Sequence, residues 1–149
     1  MTSFDLNTLR SGYRAGDITP AGLIDELIEK IAAHDDPRTW IYRVPDDALR
    51  TAAQALTGKS VDDLPLYGIP FAVKDNIDVA GLPTTAACPD FSYIAKETAP
   101  VVQRLLDAGA LLIGKTNLDQ FATGLVGVRS PYGVPRNAVD ASCVPGGSS

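Results

Sequence analysis

The chain has 149 residues, 45% of them hydrophobic and 21% charged, and 13 basic against 18 acidic side chains leave a formal net charge of −5. That length suits about one domain with a modest core, and the acidic balance excludes a general binder of nucleic acid or anionic membrane, which needs a basic surface. No apolar run approaches the roughly 20 residues that cross a bilayer. The opening stretch MTSFDLNTLR lacks an apolar signal core, so the expected location is cytoplasmic.

Residues 5–14 read as a short helix. Thr19-Pro20 starts a stronger one, a capping hydroxyl followed by proline in the first turn. Its Leu23, Ile24, Leu27, Ile28 and Ile31 fall on one face at helical spacing, which is core packing rather than a cofactor box. Trp40-Ile41-Tyr42 is a strand candidate. Asp46 is placed to cap a third helix running to Leu56, with Ala48, Leu49, Ala52 and Ala53 favouring close packing and Gly58 ending it. A compact apolar strand, residues 69–73, runs into Lys74-Asp75-Asn76. A further helix is expected from about Pro100, with Val101, Val102, Leu105 and Leu106 inward and Gly109 closing it. Residues 110–113 form a buried strand candidate and 117–122 a short helix. From Gly124 onward the sequence is loop-like. Helices alternating with short apolar strands imply an α/β layer architecture around a largely parallel sheet.

Several readings are set aside by their context. Cys88 and Cys143 stand far apart and fit neither a metal spacing nor a disulfide framework, so free thiols are expected. His34 is the single histidine and ends an amphipathic helix beside Asp35 and Asp36, which disfavours histidine-based hydrolysis and histidine-rich metal sites. Residues 109–116, Gly-Ala-Leu-Leu-Ile-Gly-Lys-Thr, match the phosphate-loop pattern letter for letter. That mechanism needs the middle residues to form a loop after a strand and before a helix. Here the middle residues are the most strand-like in the chain, and helix precedes Gly109.

Two features carry chemistry. Lys74 follows an apolar strand, and burial at a sheet end disfavours the charged form of an amine, moving it towards use as a base. The plainer alternative is a strand-end lysine that reaches water or pairs with Asp75. Gly146-Gly147-Ser148-Ser149 is the second feature. Glycines admit a close backbone approach, and a serine hydroxyl donates and accepts at once, so it can relay a proton. Read alone, this segment is more simply a flexible tail.

Taken together, three segments resemble the amidase signature family in the family's own order: Pro65-Leu-Tyr-Gly-Ile-Pro-Phe-Ala-Val-Lys74-Asp-Asn-Ile-Asp78, then Ile113-Gly-Lys-Thr-Asn-Leu-Asp-Gln-Phe121, then Pro145-Gly-Gly-Ser-Ser149. The resemblance runs from about residue 20 to the last residue. It implies the α/β amidase-signature fold, with a mixed, largely parallel sheet covered by helices. It also implies a Ser–cis-Ser–Lys mechanism, in which Lys74 matches the catalytic lysine and Ser148 the bridging serine, joined by a cis peptide to Gly147. Gly146, Gly147 and Ser149 belong to the active-site loop, and Thr123 and Gly124 are expected to line the acyl pocket.

In the family the nucleophilic serine lies in a further glycine-rich segment, so residues 1–149 are expected to be the N-terminal portion of one amidase domain and inactive alone. Ser149 is not a substitute, because it occupies the loop position beside the bridging serine. The stretch from Thr116 to Gly133 looks most like the allophanate hydrolase branch, which implies hydrolysis of allophanate to ammonia and carbon dioxide in urea degradation. No cofactor and no metal are implied. The expected partner is a small-molecule amide, without nucleic acid or membrane, and a homodimer is admitted for the full-length protein. The alternatives are a non-catalytic remnant or binding module and a glutamine-hydrolysing transfer-RNA amidotransferase A-type subunit.

Overall fold

A computed structural model describes residues 3–34 and 36–149; Met1 and Thr2, at the head of the segment read for an export signal, and Asp35, beside His34, lie outside the described residues. The described residues divide into two units, one of 3–34, 44–71 and 103–113, the other of 36–43, 72–102 and 114–149.

In the first unit, α1 (Leu6–Ala15) begins where the Asp5 side chain accepts the Thr8 N–H, and ends at Gly16 in the left-handed region. It buries Leu9 and Tyr13, and the Tyr13 hydroxyl donates to the Gly68 carbonyl at 2.9 Å. Helix α2 (Pro20–Ala33) starts as its sequence predicts: Thr19 accepts the Gly22 N–H at 3.1 Å and proline occupies the first turn. Leu23, Ile24 and Ile28 are buried, each contributing about 2 kcal/mol by removal from water. His34 is an exposed residue at the helix end.

Helix α3 (Asp46–Gln54) departs from expectation at both ends. Pro45 occupies the cap position without a side-chain bond, and Asp46 lies inside the first turn, where a carboxylate meets the positive end of the helix dipole. The helix stops at Gln54, ahead of Gly58, because the chain passes into consecutive turns through Thr57 N–H to Gln54 O and Lys59 N–H to Leu56 O. Leu49, Ala53 and Leu56 are buried, whereas Ala48 and Ala52 face solvent. Arg50 pairs with Asp25 of α2 at 2.8 Å.

Helix α4 (Pro100–Asp107) buries Val102, but Val101 is 59% exposed, so only part of the anticipated inward face packs. Gly109 adopts φ +90°, and a Cβ there would meet Leu64 at 3.1 Å.

Strands β1 (Trp40–Arg43), β2 (Pro70–Lys74) and β5 (Leu111–Thr116) form one sheet in the order β1-β5-β2. β1 and β5 are antiparallel. β2 and β5 run in the same direction, since Leu111 N–H donates to Ile69 O and Asp75 N–H to Thr116 O. The sheet is therefore mixed. Gly114 permits the β1 contact, because a Cβ there would lie 2.5 Å from the Tyr42 carbonyl. β5 covers Leu111–Thr116, six of the eight residues that match the phosphate-loop pattern, and Lys115 is buried rather than offered to an anion.

The second unit adds a two-residue ladder, β3 (Pro83–Thr84) with β4 (Tyr93–Ile94), which sequence patterning does not predict. The helix expected over 117–122 shortens to a 3-10 turn, Gln120–Ala122, with Phe121 at φ +52°. Asn117 opens the departure by turning its own side-chain oxygen onto the Leu118 N–H at 2.8 Å, the competition with helix that short polar side chains offer.

Candidate active site

β2 delivers Lys74 at its last position. Successive strand residues point to opposite faces, and the neighbours Val73 and Asp75 are buried while Lys74 is half-buried. Lys74 Nζ is hydrogen-bonded to Ser148 Oγ. Lys74 thus meets Ser148 rather than Asp75. Asp75 lies on the other face and pairs with Lys115 at 3.1 Å, both side chains fully buried.

The loop that carries Ser148 is shaped by its glycines. A Cβ on Gly147 would lie 2.4 Å from the Val126 amide nitrogen, so no side chain fits. Gly146 adopts φ +99°, which L-residues avoid. The Gly147–Ser148 peptide is cis. Ser148 is fixed from behind by its carbonyl, which accepts the Asp119 N–H at 2.6 Å. The Ser149 hydroxyl donates its one proton to the Asn117 carbonyl at 2.6 Å. At its 2.8 Å contact with Thr116 Oγ1 it must therefore accept. Ser149 thus ties the loop to the end of β5.

Asp119 organises the segment packed against this loop. Its carboxylate is fully buried and accepts Gly127 N–H at 2.9 Å and Arg129 N–H at 2.7 Å. Burial pushes its proton affinity upward, but the amides of Gly127, Arg129, Val126 and Val128 outweigh that and hold the carboxyl below its usual range. Gly124 is required here too, because a Cβ would lie 2.1 Å from Asp119 Oδ2. Thr123 is exposed, and its hydroxyl donates to the Gln120 carbonyl at 2.8 Å.

A cavity of about 30 Å³ beside Ser148, room for a water, is lined by Asn117, Leu118, Gly127, Pro135, Pro145, Gly146, Ser148 and Ser149. A larger cleft of about 370 Å³ is lined by Asn76, Ile77 and Asp78, which follow Lys74, and by residues 97–100. Thr123 and Gly124 are absent from both linings. The fold brings Lys74 and Ser148 together and uses Gly124 to seat Asp119. Among the described residues no group of three or more His, Cys, Asp or Glu could hold a metal ion, and both cysteines are free.

Sequence reading missed the supporting residues Asp75, Lys115, Asn117 and Asp119. One signal was present for Lys115. A lysine closing an apolar strand must meet a counter-charge when buried, and an aspartate stands at the end of the neighbouring strand.

A lysine on a serine hydroxyl that follows two glycines is an arrangement for moving a proton. The family model described as Amidase matches residues 22–149. The chain belongs to the amidase family. The chain is 49% identical over 128 residues to urea amidolyase of Saccharomyces cerevisiae, covering 85% of the chain and 7% of that protein. It is 38% identical over 152 aligned residues to the A-type subunit of the glutamyl-tRNA(Gln) amidotransferase of Exiguobacterium sp., covering all of the chain and 32% of the relative. The solved allophanate hydrolase of Kluyveromyces lactis, in a point variant, matches the whole chain with a TM-score of 0.83 and 44% identity, over 25% of its own length. The fold is thus that of amidase-signature enzymes, and the chain spans a third or less of these relatives.

Proposed function

We propose that this chain supplies the lysine base and the bridging serine of an amide hydrolase that works by a Ser–cis-Ser–Lys mechanism. The observation that carries the reading is the hydrogen bond between Lys74 Nζ and Ser148 Oγ. In its neutral form Lys74 takes the Ser148 hydroxyl proton as Ser148 takes that of a nucleophilic serine. The nucleophile is supplied from beyond residue 149, as are the amides that receive the developing oxyanion. The activated serine attacks the amide carbonyl and forms a tetrahedral adduct. Collapse leaves an acyl-enzyme and releases ammonia, which carries the proton returned through Ser148. Water then repeats the sequence on the ester and frees the acid.

The substrate we propose is allophanate in urea degradation: the acid freed from the acyl-enzyme is then a carboxylated carbamate, which breaks down by decarboxylation to carbon dioxide and the remaining ammonia. The support is the 49% identity to urea amidolyase against 38% to the amidotransferase relative. The proposal includes a cytoplasmic location, a small amide as the only ligand, and a homodimer as the full-length form. Residues 1–149 alone should not turn over. A second reading, glutamine hydrolysis for transfer-RNA amidation, draws on the relative that aligns with the whole chain.

The test is ammonia release by the protein that includes the nucleophile-bearing segment, offered allophanate or glutamine. Release from allophanate supports the reading, and release from glutamine alone favours the second. Release from neither leaves a binding module. Turnover by residues 1–149 alone would overturn the division of catalytic groups.

A further inference from the structure

The pair Asp75–Lys115 lies outside the proton route and is among the most buried features of the second unit. Both side chains are 0% exposed. Lys115 Nζ donates to the Pro83 carbonyl and to Thr84 Oγ1, each at 2.7 Å, and lies 3.1 Å from Asp75 Oδ1. The other carboxylate oxygen, Oδ2, accepts the Thr85 N–H at 3.0 Å and the Thr85 hydroxyl at 2.5 Å. Burying two charges costs about as much desolvation as their attraction returns, so such a pair is weak evidence for stability. Asp75 Oδ1 has no hydrogen bond, so Lys115 is what compensates its buried charge.

That geometry bears on the candidate site through the strand ends. Asp75 follows Lys74 and Lys115 precedes Thr116, so each charged residue is back to back with a residue of the opposite face. Asp75 N–H donates to Thr116 O at 3.2 Å, which locks the two strand ends in register. On the opposite face Lys74 meets Ser148, and Thr116 meets Ser149 at 2.8 Å. A slip of one residue in either strand would bury the wrong side chain and separate Lys74 from Ser148.

We infer that Asp75 and Lys115 are positioning residues: their buried pair sets the register of β2 against β5 and thereby holds Lys74 on Ser148. The inference rests on the reading above for the meaning of the Lys74–Ser148 contact, and its test needs no turnover. Acylation of each lysine by an amine-selective reagent is followed by mass spectrometry on the protein that includes the nucleophile-bearing segment, with exposed Lys59 and Lys96 as internal standards. Ser148→Ala should raise Lys74 labelling about tenfold, the weight of one charge-assisted hydrogen bond. The neutral double variant Asp75→Asn/Lys115→Met should raise it similarly while the chain stays folded by circular dichroism. Adding Ser148→Ala to that double variant should then change nothing further.

An undiminished Ser148→Ala effect in the double variant overturns the positioning role and leaves the Lys74–Ser148 contact standing. No Ser148→Ala effect in the otherwise unaltered chain removes the contact itself, and both readings fall. If the double variant does not fold, Thr85→Val, which takes away one bond to Asp75, replaces it in the same cycle. A reduced Ser148→Ala effect supports the inference and an undiminished one overturns it.

Discussion

The Asp119 amide donates to the Ser148 carbonyl at 2.6 Å, while the Asp119 carboxylate gathers the amides of Gly127 and Arg129. One residue therefore holds the serine loop by its main chain and the segment beneath that loop by its side chain.

Removing the carboxylate should cost more than an ordinary surface change. Asp119→Ala leaves the buried Gly127 amide and the part-buried Arg129 amide without their acceptor, a loss of roughly 3 kcal/mol. Asp119→Asn keeps one acceptor oxygen and should lose about half of that. Urea unfolding midpoints of the two variants check the order. Equal stability of Asp119→Ala and the unaltered chain would contradict the arrangement.

The same carboxylate fixes the sign of a pH dependence. Asp119 and Asp36 are both held below their ordinary range, despite burial, by amides and, at Asp36, by Arg38. A carboxyl lowered in the folded state contributes stability that is fully present above its unfolded pKa of about 4. That stability is lost as pH falls through the lower folded value. Stability should therefore be steady from neutrality to about pH 5 and decline below about pH 4. Asp119→Asn should flatten part of that decline, which unfolding midpoints measured across pH would reveal.

The two loop glycines should respond differently to alanine. At Gly147 the new methyl would strike the Val126 amide at 2.4 Å, displacing the loop and costing about 1–3 kcal/mol. At Gly146 a Cβ meets nothing within 4 Å, so only the left-handed backbone opposes the change, by about 1–2 kcal/mol. Lysine labelling separates them. Gly147→Ala should free Lys74, whereas Gly146→Ala should leave its reactivity near that of the unaltered chain.

Much of this arrangement is readable before any coordinates, where local chemistry decides. Thr19-Pro20 dictates the start of α2 because capping and proline geometry act within one turn. The apolar run before Lys115 identifies β5, and so dismisses the phosphate-loop match. Features set by distant partners are not readable. Nothing local shows that Val101 faces water while Val102 packs, or that Asp46 enters α3 instead of capping it. The two-residue ladder of Pro83–Thr84 with Tyr93–Ile94 is too short to leave a pattern. Thr123 and Gly124 look like pocket residues from their place beside a motif, yet Gly124 is spent seating Asp119. Lys74 and Ser148 stand 74 residues apart, and resemblance to a family, not periodicity, joins them on the page.

The most direct test of the proton route is turnover by the nucleophile-bearing protein with Lys74→Met. Folding is verified by an unchanged unfolding midpoint, and kcat is compared with that of the parent. Loss of a positioned general base predicts a fall of about a thousandfold, with KM little altered. A folded Lys74→Met protein that keeps its parent's kcat would contradict the account.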